Sequence, residues 1–170
     1  MNPAFFGDSY DLVKRFFCGE LSALGYSVVV DPMLTGVWGG AEREFYRLIG
    51  VAPDASPGRS SNRTALFLDP DTGVRENAGS KHASFQRLAD EASNHALVFA
   101  FDQSFSHHLD SMVVMKDKLA QIRALGCHAM YYNSHARFLF RGQQKDSLNE
   151  LRDHLVSLGM PTTRLLECDG

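Results

Sequence analysis

The sequence predicts an α/β fold in which helices cover both faces of a mostly parallel sheet. Short apolar runs alternate with amphipathic stretches of helical periodicity along most of the 170 residues. Three of these runs end in aspartate, at Asp31, Asp69 and Asp102. Two further apolar runs flank Asn133 and predict an antiparallel hairpin near the end of the chain. We therefore expect one three-layer domain over residues 1–170 with a C-terminal hairpin.

The N-terminal part predicts a helix followed by a strand. Apolar residues recur at helical spacing over residues 8–24, and Gly25 is placed to end the helix. The β-branched run at residues 26–30 predicts a strand that leads directly into Asp31.

A glycine-rich turn containing Gly36 and Gly39 then leads into a predicted helix at residues 42–49. A strand, a glycine turn and a helix form a geometry that can hold a phosphate or a nucleoside. The spacing matches neither the dinucleotide-binding nor the P-loop pattern, and the glycines could equally serve a tight connection. The polar, aperiodic stretch at residues 50–63 predicts a mobile loop.

The central stretch predicts a buried strand at residues 65–68, where four apolar residues precede Asp69. Pro70 and Gly73 turn the chain away from the sheet after this strand. Residues 84–93 have helical spacing, and residues 96–101 form another buried-strand run, which ends at Asp102.

The C-terminal part predicts two more helices, one hairpin and a last strand. Helical spacing extends over residues 109–125 and 145–158, with glycine after each segment. Apolar and aromatic runs at residues 127–132 and 137–141 predict the hairpin, and residues 162–167 can form a last strand.

Net charge, cysteine spacing and the length of apolar segments disfavour several classes of protein. A net charge of −3 gives no general attraction to nucleic acids or anionic membranes. Cys18, Cys127 and Cys168 show neither disulfide nor zinc-site spacing, which favours a reducing compartment. No segment has the length of a membrane span, and the first residues do not resemble a signal peptide. We expect a cytoplasmic protein without a membrane partner.

The aspartates at the strand ends are the main candidate site. Parallel strands bring their carboxyl ends to one edge, so Asp31, Asp69, Asp71 and Asp102 are expected to gather there. Asp69, Asp71 and Asp102 could act as catalytic carboxylates or as ligands of Mg²⁺. Aspartate also caps helices and begins turns, so each of these residues has a structural alternative.

His135, in the hairpin turn, is a second catalytic candidate, because histidine in a loop can act as a general base or a metal ligand. A structural role in the turn is the alternative. Trp38, Phe5 and Phe6, if exposed, could instead form a surface for a partner, or they could close the core of the protein.

Two motifs give the chain a resemblance to a known family. Residues 28–36 pass from a hydrophobic strand to a glycine turn, and residues 66–71 read Leu-Phe-Leu-Asp-Pro-Asp. This order resembles the Rossmann-like SAM-dependent methyltransferases that modify adenine N6 in nucleic acids. In that family a strand ending in Asp-Pro-Pro-aromatic holds the substrate amine. Here Asp71 and Thr72 replace the second proline and the aromatic residue, and the stretch between the motifs is shortened.

The resemblance implies SAM as cofactor, with Asp31, Gly36 and Gly39 at its site, and a nucleotide or nucleic acid as ligand. A Mg²⁺-dependent nuclease or phosphohydrolase that uses the aspartate cluster is one alternative. A non-catalytic interaction or regulatory protein is another, because a shortened domain of this kind can lack a cofactor site altogether.

Overall fold

A computed structural model of the chain describes residues 1–52, 63–106 and 108–167. Most of the predicted mobile loop, residues 53–62, lies outside the described residues. None of the described helices is long and apolar enough to cross a membrane. The α-helices are α1 (Ser9–Ala23), α2 (Glu42–Ile49), α3 (Phe85–Asp90), α4 (Ser111–Ala124) and α5 (Lys145–Ser157). The strands are β1 (Ser27–Asp31), β2 (Thr64–Leu68), β3 (Gly73–Arg75), β4 (His82–Ser84), β5 (Leu97–Phe101), β6 (His128–Tyr132), β7 (Phe138–Gly142) and β8 (Leu165–Glu167).

The main sheet of the described chain has six strands in the order β1-β2-β5-β7-β6-β8. The α/β class is confirmed, and the expectation of a mostly parallel sheet holds only in part. β1, β2 and β5 pair in parallel, whereas the pairs β5–β7, β7–β6 and β6–β8 are antiparallel. The short link between β6 and β7 makes these two strands antiparallel. Because β7 lies between β5 and β6, it is antiparallel to both of them.

A second sheet, formed by β3 and β4, has only two parallel strands of three residues each. This small sheet is not predicted from the sequence, because strands this short have no recognisable periodicity. β3 starts at Gly73, soon after β2, and places this small sheet beside the carboxyl end of β5.

Two separate hydrophobic clusters lie on the two faces of the main sheet. Side chains from α1, α2 and α5 pack on one face, called here the α1 face, and side chains from α3 and α4 pack on the other, called the α4 face. Successive residues of a strand point to opposite faces. Along β5, Phe99 and Phe101 belong to the α1 face, whereas Val98 and Ala100 belong to the α4 face.

Aromatic rings connect the strands on the α1 face. The ring of Phe67 on β2 stacks on Phe99 of β5 with centroids 4.8 Å apart. Phe99 in turn stacks on Phe140 of β7 at 5.6 Å. This row of rings, the phenylalanine ladder, crosses from the parallel part of the sheet into the antiparallel part.

Candidate functional site

The aspartates predicted to form one cluster lie on opposite faces of the sheet. Asp69 follows Leu68, which packs on the α4 face, so alternation turns Asp69 to the α1 face. Asp102 follows Phe101 of the α1 face and points to the α4 face. Within the described residues, no group of three or more His, Cys, Asp or Glu side chains could hold a metal ion. The expected convergence of Asp69, Asp71 and Asp102 is therefore absent.

Asp102 uses both carboxylate oxygens in bonds within the protein. Its Oδ1 accepts from the backbone N–H of Val74 at 2.9 Å and lies 2.6 Å from the hydroxyl of Ser104. Its Oδ2 accepts from Lys118 Nζ at 2.6 Å and from the hydroxyl of Tyr131. Asp102 is fully buried. This group, which we call the Asp102 network, ties β5 to the small sheet, to α4 and to β6.

Burial shifts the pKa values of two residues in the Asp102 network, Lys118 and Tyr131. Desolvation lowers the pKa of Lys118 although the carboxylate of Asp102 opposes this effect. Burial, reinforced by the same carboxylate, raises the pKa of Tyr131 well above its usual range. A Cβ atom at Gly73 would lie only 2.1 Å from Asp102 Oδ1, so the close approach of β3 requires glycine there.

Asp31, predicted to contact a cofactor, forms an ion pair with Arg87 of α3 on the α4 face. Its Oδ1 accepts from the backbone N–H of Met33 at 2.9 Å, a local turn contact. The side chain is 39% exposed. It does not line the cavity described below.

The predicted glycine turn faces the N-terminal segment rather than the cavity. Gly36 and Gly39 have positive φ angles of 74° and 60°. A Cβ atom at Gly36 would touch Pro3 at 3.4 Å, whereas one at Gly39 would meet nothing within 4 Å. Of the two roles considered for Trp38, a partner surface or a part of the core, the structure shows the second, because Trp38 is 7% exposed and packs edge-on against Phe45.

His135 is exposed, and its ring lies 5.6 Å from the ring of Tyr10. Its backbone oxygen accepts a hydrogen bond of 2.7 Å from the side chain of Gln103. The side chain is not among those that line the cavity. The structure therefore gives His135 a position near the site but no contact with Asp69 or Asp71.

A cavity of about 250 Å³ lies on the α1 face beside Asp69, at the carboxyl ends of β2 and β5. Tyr10 and Phe101 form aromatic walls with ring centroids 5.3 Å apart. Phe5 also lines the cavity and is 62% exposed, which places it at the opening. This position agrees with the general location of ligands in open α/β sheets.

Asp69 contributes the most unusual atom of this cavity. Its Oδ2 accepts from Lys14 Nζ at 2.9 Å. Its Oδ1 is buried and has no hydrogen-bond partner among the described residues. Buried polar atoms of proteins are nearly always paired, so an unpaired carboxylate oxygen beside a cavity indicates a place for a donor from a ligand.

The charge state of Asp69 reflects two opposing effects. Burial raises the pKa of its carboxyl, and the ammonium of Lys14 lowers it, with a net result of about 6. Lys14 is also bound to Asp11, at 2.8 Å. Burial alone lowers the pKa of Lys14, but the two carboxylates outweigh that effect and raise it. Asp69 is thus mainly ionised at neutral pH.

Asp71 lies on the same side as Asp69 and also lines the cavity. Its carboxylate accepts a hydrogen bond from the hydroxyl of Thr35 and lies 3.1 Å from the N-terminal nitrogen of Met1. The same nitrogen donates to the backbone oxygen of Asp69 at 3.0 Å. Of the predicted site residues, only Asp69 and Asp71 come together at the cavity.

Three residues of α1 that were not predicted complete the site, namely Tyr10, Asp11 and Lys14. A signal was present, because two charged residues at positions 11 and 14 lie on the helical face that includes Phe17 and Leu21. A charged pair on a buried helical face requires a partner. Here Lys14 finds it in Asp69.

Comparisons of the chain with models of protein families, with curated proteins and with solved structures gave no match. The geometry of the cavity is therefore the basis for inferring a function.

Proposed function

We propose that the chain binds a nucleoside-type ligand in the cavity beside Asp69, with the base packed against the rings of Tyr10 and Phe101. The observation that supports this most is the buried, unpaired Asp69 Oδ1. An amino group on the base would donate to this oxygen, and the rings of Tyr10 and Phe101 would contact its apolar face. Contacts between bases and aromatic side chains contribute about 1–3 kcal/mol per base.

The size and charge of the cavity support a base or a nucleoside rather than a phosphate group. Its volume of about 250 Å³ is below the ~300–1,000 Å³ of sites that enclose drug-sized ligands. The carboxylates of Asp8, Asp69 and Asp71 line it, against the ammonium groups of Lys14 and the N-terminus. An excess of negative charge repels phosphate oxygens.

The resemblance to Rossmann-like methyltransferases is part of this proposal. A reversed strand, β7, next to the parallel strands is compatible with that fold. SAM contains an adenosine and is positively charged at sulfur, so its adenosine part suits this acidic, aromatic cavity. Gly36 and Gly39, by contrast, do not line the cavity, so the cofactor contacts expected of them have no counterpart here.

Ligand-dependent thermal stabilisation tests the proposal. We expect adenosine and SAM to raise the melting temperature, since a ligand at 100 times its Kd stabilises the native state by about 2.7 kcal/mol. AMP should bind more weakly than adenosine, and MgCl₂ alone should produce no shift. Isothermal titration calorimetry would then supply the affinities.

Two matched variants locate the binding site. Asp69→Asn should reduce adenosine binding at least about tenfold, because the cavity loses its charged acceptor. Asp31→Asn changes another strand-end aspartate, on the opposite face, and should leave binding unchanged. The proposal fails if the wild-type protein responds to neither ligand, or if Asp31→Asn removes the response and Asp69→Asn keeps it.

A further inference from the structure

Lys14 occupies a fixed position behind the cavity. Its ammonium donates to Asp69 Oδ2 at 2.9 Å and to Asp11 Oδ1 at 2.8 Å, and it lies 3.3 Å from the sulfur of Met1. The side chain of Lys14 is only 3% exposed. Because its donors are all directed at these partners, Lys14 has no donor left for a ligand.

Asp11 holds Lys14 in place from the start of α1. Asp11 and Lys14 are three residues apart, so they lie on the same side of the helix. The other oxygen of Asp11, Oδ2, accepts from the backbone N–H of Gly7 at 2.8 Å. Asp11 and Lys14 are therefore held in position by contacts within the protein, without any ligand.

As a result, one oxygen of the Asp69 carboxylate is hydrogen-bonded within the protein and the other is not. Lys14 occupies Oδ2 of Asp69, which leaves Oδ1 as the carboxylate oxygen without a partner among the described residues. A carboxylate accepts hydrogen bonds and cannot donate them. If Asp69 gains a proton, the ammonium at Oδ2 forces this proton onto Oδ1, which then becomes a donor.

We propose that Lys14 is a specificity-determining residue: by occupying Oδ2 and keeping Asp69 ionised, it leaves Oδ1 as an acceptor and restricts the site to ligands that present an N–H donor. This inference rests on the proposed nucleoside binding. It predicts that the amino group of adenosine is required. Purine riboside, which lacks that group, leaves the buried oxygen unpaired and should bind at least about tenfold more weakly at pH 8.

The groups that influence the titration of Asp69 are few. Its pKa of about 6 results from burial, opposed by Lys14 and by the N-terminal ammonium and increased by Asp11. Among the described residues, the titratable or charged groups around Asp69 or in the same cavity are these: Asp8, Tyr10, Asp11, Lys14, Cys18, Asp71 and the N-terminal ammonium of Met1. Lys14 is the largest influence that favours the ionised form, so its removal must move the titration to higher pH.

The pH dependence of binding in the wild-type protein is the first test. We expect adenosine affinity to fall as pH drops below about 6, because protonated Asp69 then presents a donor to the amino group of the ligand. Purine riboside affinity should not fall over the same range, because its unprotonated ring nitrogen can accept that hydrogen bond. Calorimetric titrations between pH 5 and pH 8 would measure both profiles.

Variants at Lys14 supply the second test. Lys14→Met should move the midpoint of the adenosine profile upward by about one pH unit or more, whereas Lys14→Arg keeps the charge and should retain the wild-type midpoint. The double variant Asp11→Asn/Lys14→Met leaves one buried carboxylate instead of two and allows the measurement if the single variant does not fold. A merely structural lysine would weaken both nucleosides equally without moving the midpoint.

Each outcome decides between the two proposals. If the wild-type protein binds adenosine but purine riboside binds equally well, or with the same pH profile, the role of Lys14 is refuted and nucleoside binding stands. An unchanged midpoint in the Lys14→Met proteins refutes it as well. If the wild-type protein binds neither nucleoside at any pH, both proposals are wrong.

Discussion

Two buried aspartates at the same edge of the sheet each pair with a lysine, but they differ in how many of their carboxylate oxygens accept hydrogen bonds. Asp69 on the α1 face pairs with Lys14 of α1, and Asp102 on the α4 face pairs with Lys118 of α4. Asp102 accepts hydrogen bonds at both oxygens, whereas Asp69 leaves Oδ1 unpaired beside a cavity. The comparison shows that a buried carboxylate and lysine do not by themselves indicate a site. The unpaired oxygen makes the difference.

Asparagine substitutions should separate the two positions most strongly. In Asp102→Asn, the amide nitrogen must face a donor at either position, and Lys118 loses its counter-charge. We expect a loss of about 3–5 kcal/mol in the free energy of unfolding. In Asp69→Asn, the nitrogen can occupy the unpaired position while the oxygen still accepts from Lys14, which also keeps Asp11.

Urea unfolding of both variants at pH 7 would measure this contrast. The loss for Asp69→Asn should be smaller than that for Asp102→Asn by at least about 2 kcal/mol. Equal losses would mean that Asp69 contributes as much to stability as Asp102, and the proposed difference between the two aspartates would be wrong.

The pH dependence of stability should report Asp69 as well. The folded-state pKa of about 6 exceeds the unfolded value of about 3.9, so the folded protein binds more protons between these values. The contribution of Asp69 to the free energy of unfolding is therefore fully present below pH 4 and decreases by about 3 kcal/mol as pH rises through 6.

Comparison with Asp69→Asn isolates this contribution. The difference in unfolding free energy between wild type and variant, followed by chemical denaturation from pH 4 to pH 7.5, should change with this sign. A difference that stays constant with pH would show that Asp69 titrates normally in the folded protein.

A smaller effect should distinguish two tyrosines. Tyr131→Phe removes a hydroxyl that donates to Asp102 Oδ2, which we expect to cost about 1.5–3 kcal/mol, as for hydrogen bonds to charged groups. Tyr10→Phe removes a hydroxyl that forms no hydrogen bond to another described residue, and it should change stability by less than about 0.5 kcal/mol. Thermal and urea unfolding of this pair would check the ranking. The reverse order would show that the Asp102 network contributes little to stability.

Local patterns predicted much of the fold. The apolar runs that lead into Asp31, Asp69 and Asp102 are strands, and the helical periodicity before Gly25 is α1. Strand order could not be predicted in the same way, because it depends on pairings between residues far apart in the chain. The antiparallel half of the sheet shows this, since β7 lies between β5 and β6 although it follows both in sequence.

The sequence predicted only some of the residues of the site. Asp69 and Asp71 were found because a strand end followed by a turn is a local signal. Asp102 was wrongly grouped with them, because the face to which a strand-end residue points depends on the last residue of the strand and on the helix that covers it. Lys14 was missed because its importance arises from a contact 55 positions away.

The phenylalanine ladder has a consequence for how the molecule opens. Since Phe99 stacks on Phe67 of the parallel half and on Phe140 of the antiparallel half, the two halves share one continuous layer of side chains. Separating them between β5 and β7 would break the stack of Phe99 on Phe140 and expose the rest of the layer. We expect the slowest-exchanging amides of β2, β5 and β7 to have one common opening free energy, so that the mixed sheet behaves as one cooperative unit in hydrogen-exchange measurements.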